Sequence, residues 1–169
     1  MTQALYELLY VMGLLVYVPK GIWRMRLPHR GWRMRLGRYG PEVAERLAGR
    51  DPIWLHAVSV GEALAAQPLV RAITQNYPQH PLVVSTVTLS GFSVASRALG
   101  HEGIPIYFPL DLPWAIKRVS RMIKPAMFIV VEKEIWPNAF RTMYDMGAPV
   151  VIVNGTMSER SARRYARFS

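Results

Sequence analysis

The chain has 169 residues, a formal charge of +10 at pH 7 and a hydrophobic content of 51%. This length suits one domain of ordinary size and excludes two complete nucleotide-binding domains. Because cysteine is absent, disulfides, thiolate catalysis and cysteine metal sites are excluded as well. The positive charge favours an anionic partner: nucleic acid, acidic lipid, or a phosphorylated or carboxylated substrate.

The first predicted element is an apolar helix over Ala4–Val18, in which Glu7 is the one charged residue and which we expect Pro19 to end. Its 15 residues fall short of the roughly 20 that a helix needs to cross a bilayer. A secretory signal is disfavoured because the charged leading region and a small-residue cleavage site are missing. We therefore expect a helix in the membrane interface, and an ordinary helix buried against the domain is the alternative. The aromatic residues expected in the headgroup layer are Tyr6, Tyr10, Tyr17, Trp23 and Trp32.

A basic arm follows this helix. Its members are Lys20, Arg24, Arg26, Arg30, Arg33, Arg35 and Arg38, and a second basic group closes the chain at Arg160, Arg163, Arg164 and Arg167. Each arginine near an anionic membrane surface contributes about 1 kcal/mol of binding free energy. The order of apolar helix and positive arm predicts peripheral or monotopic attachment to the cytoplasmic face of a membrane. Nucleic acid is disfavoured as a partner because the basic residues flank apolar anchors and no nucleic-acid module is recognisable.

The remaining elements alternate between strands and helices after a short helix predicted over Glu42–Ala48. The predicted strands are Ile53–Val60, Pro81–Val87, Ile104–Phe108, Met127–Val131 and Val150–Val153, and the predicted helices are Glu62–Asn76, Gly91–Leu99, Pro113–Ile123 and Pro137–Met146. Strands that are apolar almost throughout indicate a parallel sheet covered on both faces. We therefore predict a Rossmann-like α/β domain over residues 41–169, preceded by the apolar helix and basic arm of residues 1–40.

Nucleotide and metal signals are weak. The first strand-to-helix turn lacks the Gly-x-Gly-x-x-Gly spacing and no Walker motif occurs, which disfavours NAD, FAD and ATP. The four histidines lack metal-ligand spacing, and His56, inside an apolar strand, is expected to be a hydrogen-bonded core residue. No metal site is predicted.

Polar side chains follow four of the predicted strands, and the carboxyl ends of parallel strands form one rim. They are Ser59 and Glu62, then Thr86, Thr88 and Ser90, then Glu132 and Glu134, and finally Asn154 and Ser158. Two carboxylates that enter one crevice from different loops suit proton transfer, one as base and one as electrostatic partner. The structural alternative for Glu62 is a helix N-terminal residue worth about 0.3–1 kcal/mol. For Glu132 and Glu134 the alternative is an ion pair with Lys133 or an arginine.

Four segments carry a family resemblance: Trp54–Glu62, Phe108–Trp114, Val131–Asn138 and Ser158–Ser161. In order and spacing they resemble the N-terminal domain of 3-deoxy-D-manno-octulosonic acid (Kdo) transferases of lipopolysaccharide biosynthesis. The resemblance implies half of a GT-B glycosyltransferase, in which this domain receives a lipid A precursor and a C-terminal domain binds the donor CMP-Kdo. It implies no cofactor and no metal.

The resemblance also implies roles for individual residues. Glu62 matches the general base that takes the proton of the acceptor hydroxyl, and Glu132 matches a glutamate that stabilises the transition state. Residues of the matching rim are expected to bind the acceptor: Ser59, Gly61, Thr88, Ser90, Glu134 and Asn154.

The chain departs from the family pattern at two loops and in length. Thr88-Leu89-Ser90-Gly91 stands where the family has Thr-Pro-Thr-Gly, and Asn154-Gly155-Thr156 stands where it has Asn-Ala-Arg. The donor domain is expected to be missing from this chain, so we expect no turnover by this polypeptide alone. The rival function is a non-catalytic, membrane-associated module that binds lipid A-like anionic lipids.

Overall fold

The computed structural model describes residues 3–23, 31–99, 103–132 and 134–155. Five parallel strands form one sheet in the order β3-β2-β1-β4-β5. The strands are β1 Ile53–His56, β2 Leu82–Thr86, β3 Gly103–Tyr107, β4 Met127–Val131 and β5 Val150–Val153. The helices are α1 Gln3–Trp23, α2 Trp32–Arg35, α3 Pro41–Leu47, α4 Val60–Ala65, α5 Gln67–Asn76, α6 Leu89–Leu99, α7 Pro113–Ile123 and α8 Pro137–Asp145.

Side chains that alternate along each strand build a core on both faces of the sheet. Trp54, on one face, belongs to a cluster with buried residues of α3, α7 and α8. Leu55, on the other face, belongs to a cluster with buried residues of α4, α5 and α6. Because helices cover both faces, the strands are largely apolar, as expected for a parallel sheet, and the edge strand β5 is partly exposed. The predicted Rossmann-like α/β architecture is confirmed.

Three predicted elements differ from the structure by more than one or two residues at an end or contain a break that was not predicted. β1 ends at His56 rather than Val60, because Ser59 already caps α4 in extended backbone. The predicted helix Glu62–Asn76 is two helices that meet at Ala66, where Pro68 supplies the first turn of the second helix without a backbone N–H. The first helix does not end at Pro19 but continues to Trp23, since an internal proline removes one hydrogen bond without having to end a helix.

Helix α1 has two different sides. Its tyrosines Tyr6 and Tyr10 face the domain, where both hydroxyls bind Asp111. Their predicted position in the headgroup layer is therefore wrong, because buried Asp111 offers its carboxylate to the Tyr6 hydroxyl and its backbone N–H to the Tyr10 hydroxyl. The other side exposes large apolar residues: Leu5, Leu8, Leu9, Val11, Met12, Leu15 and Val16. Over the residues that the structure describes, no helix combines the length and apolarity that crossing a bilayer requires.

The described part of the basic arm packs on the sheet. Gly31 lies against the ring of Tyr107, so closely that a side chain there would meet the ring. The Arg35 backbone carbonyl accepts a hydrogen bond from Leu110, and the Arg35 guanidinium donates to the Val87 carbonyl and lies over the Tyr107 ring. A domain boundary near residue 40 stays a prediction, but residues 31–39 contribute contacts to the globular part.

Candidate active site

The strand order places a topological switch point between β1 and β4. The chain builds outward from β1 to β2 and β3, then returns to the other side of β1 with β4 and β5. At such a point the two connecting loops diverge and leave a crevice outside the carboxyl ends of the strands, where ligands of open α/β sheets bind. Glu62 follows β1 and Glu132 follows β4, so the two predicted catalytic carboxylates flank this crevice.

Glu62 is held by its own turn. Its Oε2 accepts a hydrogen bond from Val58 N at 2.7 Å, and its Oε1 accepts one from the Ser59 hydroxyl at 2.9 Å. The Ser59 hydroxyl accepts in return from Glu62 N at 3.4 Å. Ser59 and Glu62 thus form a variant of the capping box at the start of α4, in which the carboxylate binds Val58 N instead of the N–H of the N-cap residue Ser59. With 7% of its surface exposed, Glu62 is more buried than the sequence led us to expect for a residue at an open crevice.

The loop after β2 forms the neighbouring part of the rim. The Thr88 hydroxyl accepts a hydrogen bond from Gly91 N at 3.0 Å and so caps the first turn of α6. A Cβ at Gly91 would lie 2.8 Å from that hydroxyl oxygen and 3.5 Å from the Ser59 carbonyl carbon, so a glycine is needed for this approach. Thr88, Ser90 and Gly61 are exposed, as acceptor-binding groups must be.

The loops after β4 and β5 meet at Glu132. Its backbone is left-handed, with φ at 66°, and its N–H donates to the Val153 carbonyl at 2.8 Å. Left-handed backbone costs a residue with a side chain about 1–2 kcal/mol, which the surrounding structure must offset. Asn154, with φ at 55°, is exposed at the end of β5 and precedes Gly155, whose Cβ position lies 4.0 Å from the Glu132 carbonyl oxygen. The structure thus brings Glu132 and Asn154 to the same corner.

The three glutamates of the rim interact electrostatically. Burial is the main cause that raises the pKa of Glu134, and the charges of Glu62 and Glu132 raise it further. Like charges must be close to have this effect. Glu62 and Glu132 therefore lie within electrostatic range of Glu134, at the carboxyl ends of β1 and β4. Ser158, which was predicted on this rim, and Lys133, which was the alternative ion-pair partner, lie outside the described residues.

An aromatic layer supports the crevice from below. The ring of His56 stacks on Phe108 with centroids 3.9 Å apart and meets Trp136 edge-on at 5.7 Å. Its Nδ1 lies 2.9 Å from the Ser85 hydroxyl and 3.1 Å from the Ser85 carbonyl, and burial lowers its pKa to about 3. His56 is fully buried, so the predicted core role is confirmed. Trp136 packs against the same core cluster.

Metal ligands do not cluster in the described part of the chain: no group of three His, Cys, Asp or Glu there has the arrangement to hold an ion. Independence of the reaction from metal stays a prediction.

Asp111 is the residue that the sequence reasoning missed. It is fully buried in the loop before α7, and its carboxylate accepts bonds from Tyr6 and from the N–H groups of Asn138 and Ala139. Burial raises its pKa, and these hydrogen bonds oppose the rise. Tyrosines four residues apart on an apolar helix were the available signal, because a hydroxyl on a buried face needs a partner.

Comparison with known proteins agrees with this geometry. Residues 30–169 match the family described as 3-Deoxy-D-manno-octulosonic-acid transferase (kdotransferase). The chain is 38% identical over 137 residues to the 3-deoxy-D-manno-octulosonic acid transferase of Haemophilus influenzae, covering 80% of this chain and 32% of that protein. It is 33% identical over 164 residues to the enzyme of the same name from Chlamydophila psittaci, covering 95% of this chain and 37% of that protein.

A plant protein is also similar. The probable mitochondrial 3-deoxy-D-manno-octulosonic acid transferase of Arabidopsis thaliana is 34% identical over 129 residues, which cover 76% of this chain and 29% of that protein. The chain thus spans about a third of the length of these relatives. From the family match over residues 30–169 and these identities, the chain belongs to the Kdo transferase family.

Proposed function

We propose that this chain is the acceptor domain of an inverting GT-B glycosyltransferase that transfers Kdo from CMP-Kdo to a lipid A precursor. In this proposal a second domain binds the donor. The observation that carries the proposal is the placement of Glu62 after β1 and of Glu132 and Glu134 after β4, on the two sides of the switch point of the sheet. Family membership supports it, because the relatives are named as transferases of this sugar.

The reaction needs a proton acceptor beside an attacking hydroxyl. The acceptor oxygen forms a bond to the anomeric carbon of Kdo, the bond from that carbon to CMP breaks, and the hydroxyl proton goes to Glu62. A carboxylate offers about four lone-pair positions, and Val58 N and the Ser59 hydroxyl occupy two of them. Glu62 therefore retains acceptor capacity, and its turn holds it in one orientation.

Glu132 acts on the charge that develops during transfer. A fixed carboxylate close to an anomeric centre stabilises the positive charge that builds there as the donor bond breaks. The left-handed backbone of Glu132, tied to Val153, holds the start of its loop rigidly. Glu134, whose pKa is raised, offers a hydrogen bond to an acceptor hydroxyl in either protonation state.

The remaining acceptor contacts come from half-buried Ser59 and from exposed residues along the same rim. They are Ser59, Gly61, Thr88, Ser90 and Asn154, on loops that follow β1, β2 and β5. Hydroxyl and amide groups suit a sugar acceptor, since each can donate and accept.

Transfer assays test the catalytic assignment in a version of the protein that includes a donor domain. We expect Glu62→Gln and Glu132→Gln to reduce transfer from CMP-Kdo by about 10²-fold or more, the usual range for a lost general base. Glu42→Gln, at the exposed first turn of α3, is the matched control and is expected to retain full transfer. Transfer at the control rate by Glu62→Gln would refute the assignment.

We further propose that α1 attaches the domain to the anionic cytoplasmic face of the inner membrane. The exposed apolar side of α1 is continuous over three turns, and Arg33 and Arg38 are exposed beyond it. Apolar burial and attraction to anionic headgroups together give stable interfacial binding. Leu8→Gln with Leu15→Gln should release the chain from phosphatidylglycerol vesicles, whereas Tyr144→Gln on exposed α8 should not. Equal binding by both variants would contradict this role of α1.

The rival function is a non-catalytic module that binds lipid A-like anions. The capping box favours it, since it gives Glu62 a structural reason to be present. This rival expects lipid binding to survive loss of both glutamates, with no transfer even when a donor domain is added. Transfer that depends on Glu62 would exclude it.

A further inference from the structure

Asp111 joins two helices that are distant in the sequence. Its Oδ2 accepts from the Tyr6 hydroxyl of α1 at 2.8 Å and from Asn138 N of α8 at 3.1 Å. Its Oδ1 accepts from Ala139 N at 2.9 Å. The residue is fully buried, so these partners replace water for the carboxylate.

The backbone of Asp111 repeats the same connection. Its N–H donates to the Tyr10 hydroxyl at 3.1 Å, and its carbonyl accepts from Asn138 Nδ2 at 2.7 Å. Asn138 Oδ1 in turn accepts from Gln3 Nε2 at 3.3 Å, back on α1. Helix α1 and the first turn of α8 are thus joined through one residue of the loop before α7.

This arrangement exceeds what capping of α8 requires. A side chain next to a helix start can accept from its first N–H groups, yet Asp111 lies 27 residues before Asn138. Moreover, Oδ2 is shared between α8 and a tyrosine 105 residues away in the sequence. A shift of α1 therefore changes the hydrogen bonding of the oxygen that holds the start of α8.

The start of α8 determines the geometry of the carboxylate loop. Glu132 and Glu134 lie between the end of β4 and the first residue of α8, Pro137. The sheet fixes one end of this short loop through the bond between Glu132 N and Val153. The other end is fixed by α8 and by Trp136, which packs on the core. Displacement of the first turn of α8 must therefore be taken up by the loop that carries both glutamates.

We infer that Asp111 is a positioning residue that couples the seating of α1 on the domain to the placement of Glu132 and Glu134. This rests on the proposed function, since it assumes that those glutamates serve transfer. The coupling makes the enzyme most active when α1 is docked with Tyr6 and Tyr10 hydrogen-bonded to Asp111.

Kinetics in the version with a donor domain give the first test. Tyr6→Phe removes the hydroxyl that shares Oδ2 and leaves the α8 N–H bonds in place. We expect it to lower kcat about threefold to tenfold with KM for the acceptor little changed. Asp111→Asn, which presents an amide N–H to the donors of α8, should lower kcat further. The double variant Tyr6→Phe with Asp111→Asn should have the same kcat as Asp111→Asn alone, because both changes act through the Asp111 side chain.

The matched control is Tyr144→Phe, which removes a hydroxyl from an exposed tyrosine of α8 and should leave kcat unchanged. Unchanged kcat in Tyr6→Phe, or independent multiplicative losses in the double variant, would overturn the coupling.

A spectroscopic readout separates this proposal from the proposed function. The 169-residue chain is labelled with 5-fluorotryptophan, and the Trp136 resonance in its 19F spectrum is identified by its loss in Trp136→Phe. Tyr6→Phe should shift that resonance although its site is on α1, and Tyr144→Phe should not. A shifted resonance without transfer by the wild type would leave the coupling intact and refute the proposed function. An unshifted resonance in folded Tyr6→Phe would overturn the coupling whatever the activity, and this conservative variant carries the test if Asp111→Asn fails to fold.

Discussion

Replacing Glu62 separates its structural contribution from its proposed chemistry. The carboxylate accepts bonds from Val58 N and the Ser59 hydroxyl, and each bond to a charged group contributes about 1.5–3 kcal/mol when buried. Because the site borders solvent, Glu62→Ala should cost about 2–3 kcal/mol of unfolding free energy, below the sum of two buried bonds. In Glu62→Gln the amide oxygen still accepts from Val58 N and the amide nitrogen donates to Ser59, so the cost should be about 1 kcal/mol.

Thermal unfolding of the chain and transfer by the version with a donor domain give the two measurements. For a protein of this size each kcal/mol lowers Tm by about 2–4 °C, so we expect losses near 2–4 °C for Glu62→Gln and 4–12 °C for Glu62→Ala. Both variants should lose transfer to a similar extent, since neither has a base at this position. Unchanged Tm in Glu62→Ala would refute the capping box. Transfer that falls only in proportion to stability would refute the base.

Three further predictions concern the neighbourhood of the site. In the folded chain the pKa of His56 is about 3, below its ordinary value of 6.5. The unfolded chain therefore binds the proton more tightly than the folded chain, and the free energy of unfolding decreases as the pH falls below about 6.5. Between pH 6.5 and 5 this loss approaches 1.4 kcal/mol per pH unit, and urea unfolding should show it reduced in His56→Asn; equal losses would contradict a buried neutral imidazole. At Glu132, with φ at 66°, glycine avoids the left-handed strain that alanine retains, so Glu132→Gly should be more stable to urea than Glu132→Ala by about 1 kcal/mol; the opposite order would refute the strain. Gly91→Ala should lower Tm because the new Cβ would lie 2.8 Å from the Thr88 hydroxyl oxygen. Gly61→Ala is the control and should lower Tm less, since there is room for a Cβ at Gly61. Equal losses of Tm in the two variants would contradict the close contact at Gly91.

Strand positions were predictable because each strand is a short run of mostly apolar residues, and this holds for buried β4 and for the partly exposed edge strand β5 alike. β4 and β5 were predicted to the residue, and β2 and β3 to within one residue at each end. The end of β1 was not, since Ala57, Val58 and Val60 are as apolar as a strand while Ser59 has already begun a cap. A pattern of apolar residues does not show where a serine hydroxyl begins to accept a hydrogen bond from a helix N–H, and so it does not show where the strand ends.

The candidate site was predictable in its membership and less so in its contacts. That the glutamates after β1 and β4 share a rim follows from parallel strands alone. That Glu62 turns back to bind its own loop depends on a side-chain torsion that sequence spacing leaves open. Asp111 escaped prediction because its partners are 27 to 105 residues away.

By itself, the sequence determined the class of the fold, the family and the residues that follow each strand, because these depend on local patterns of apolar residues and on contiguous motifs. Only the tertiary structure decided that β4 pairs with β1 and that one side of α1 faces the domain. It also decided which tyrosine hydroxyls form hydrogen bonds with Asp111. The physical reason is that a buried carboxylate must find hydrogen-bond donors wherever the packed chain supplies them, and packing brings together residues that no sequence window contains.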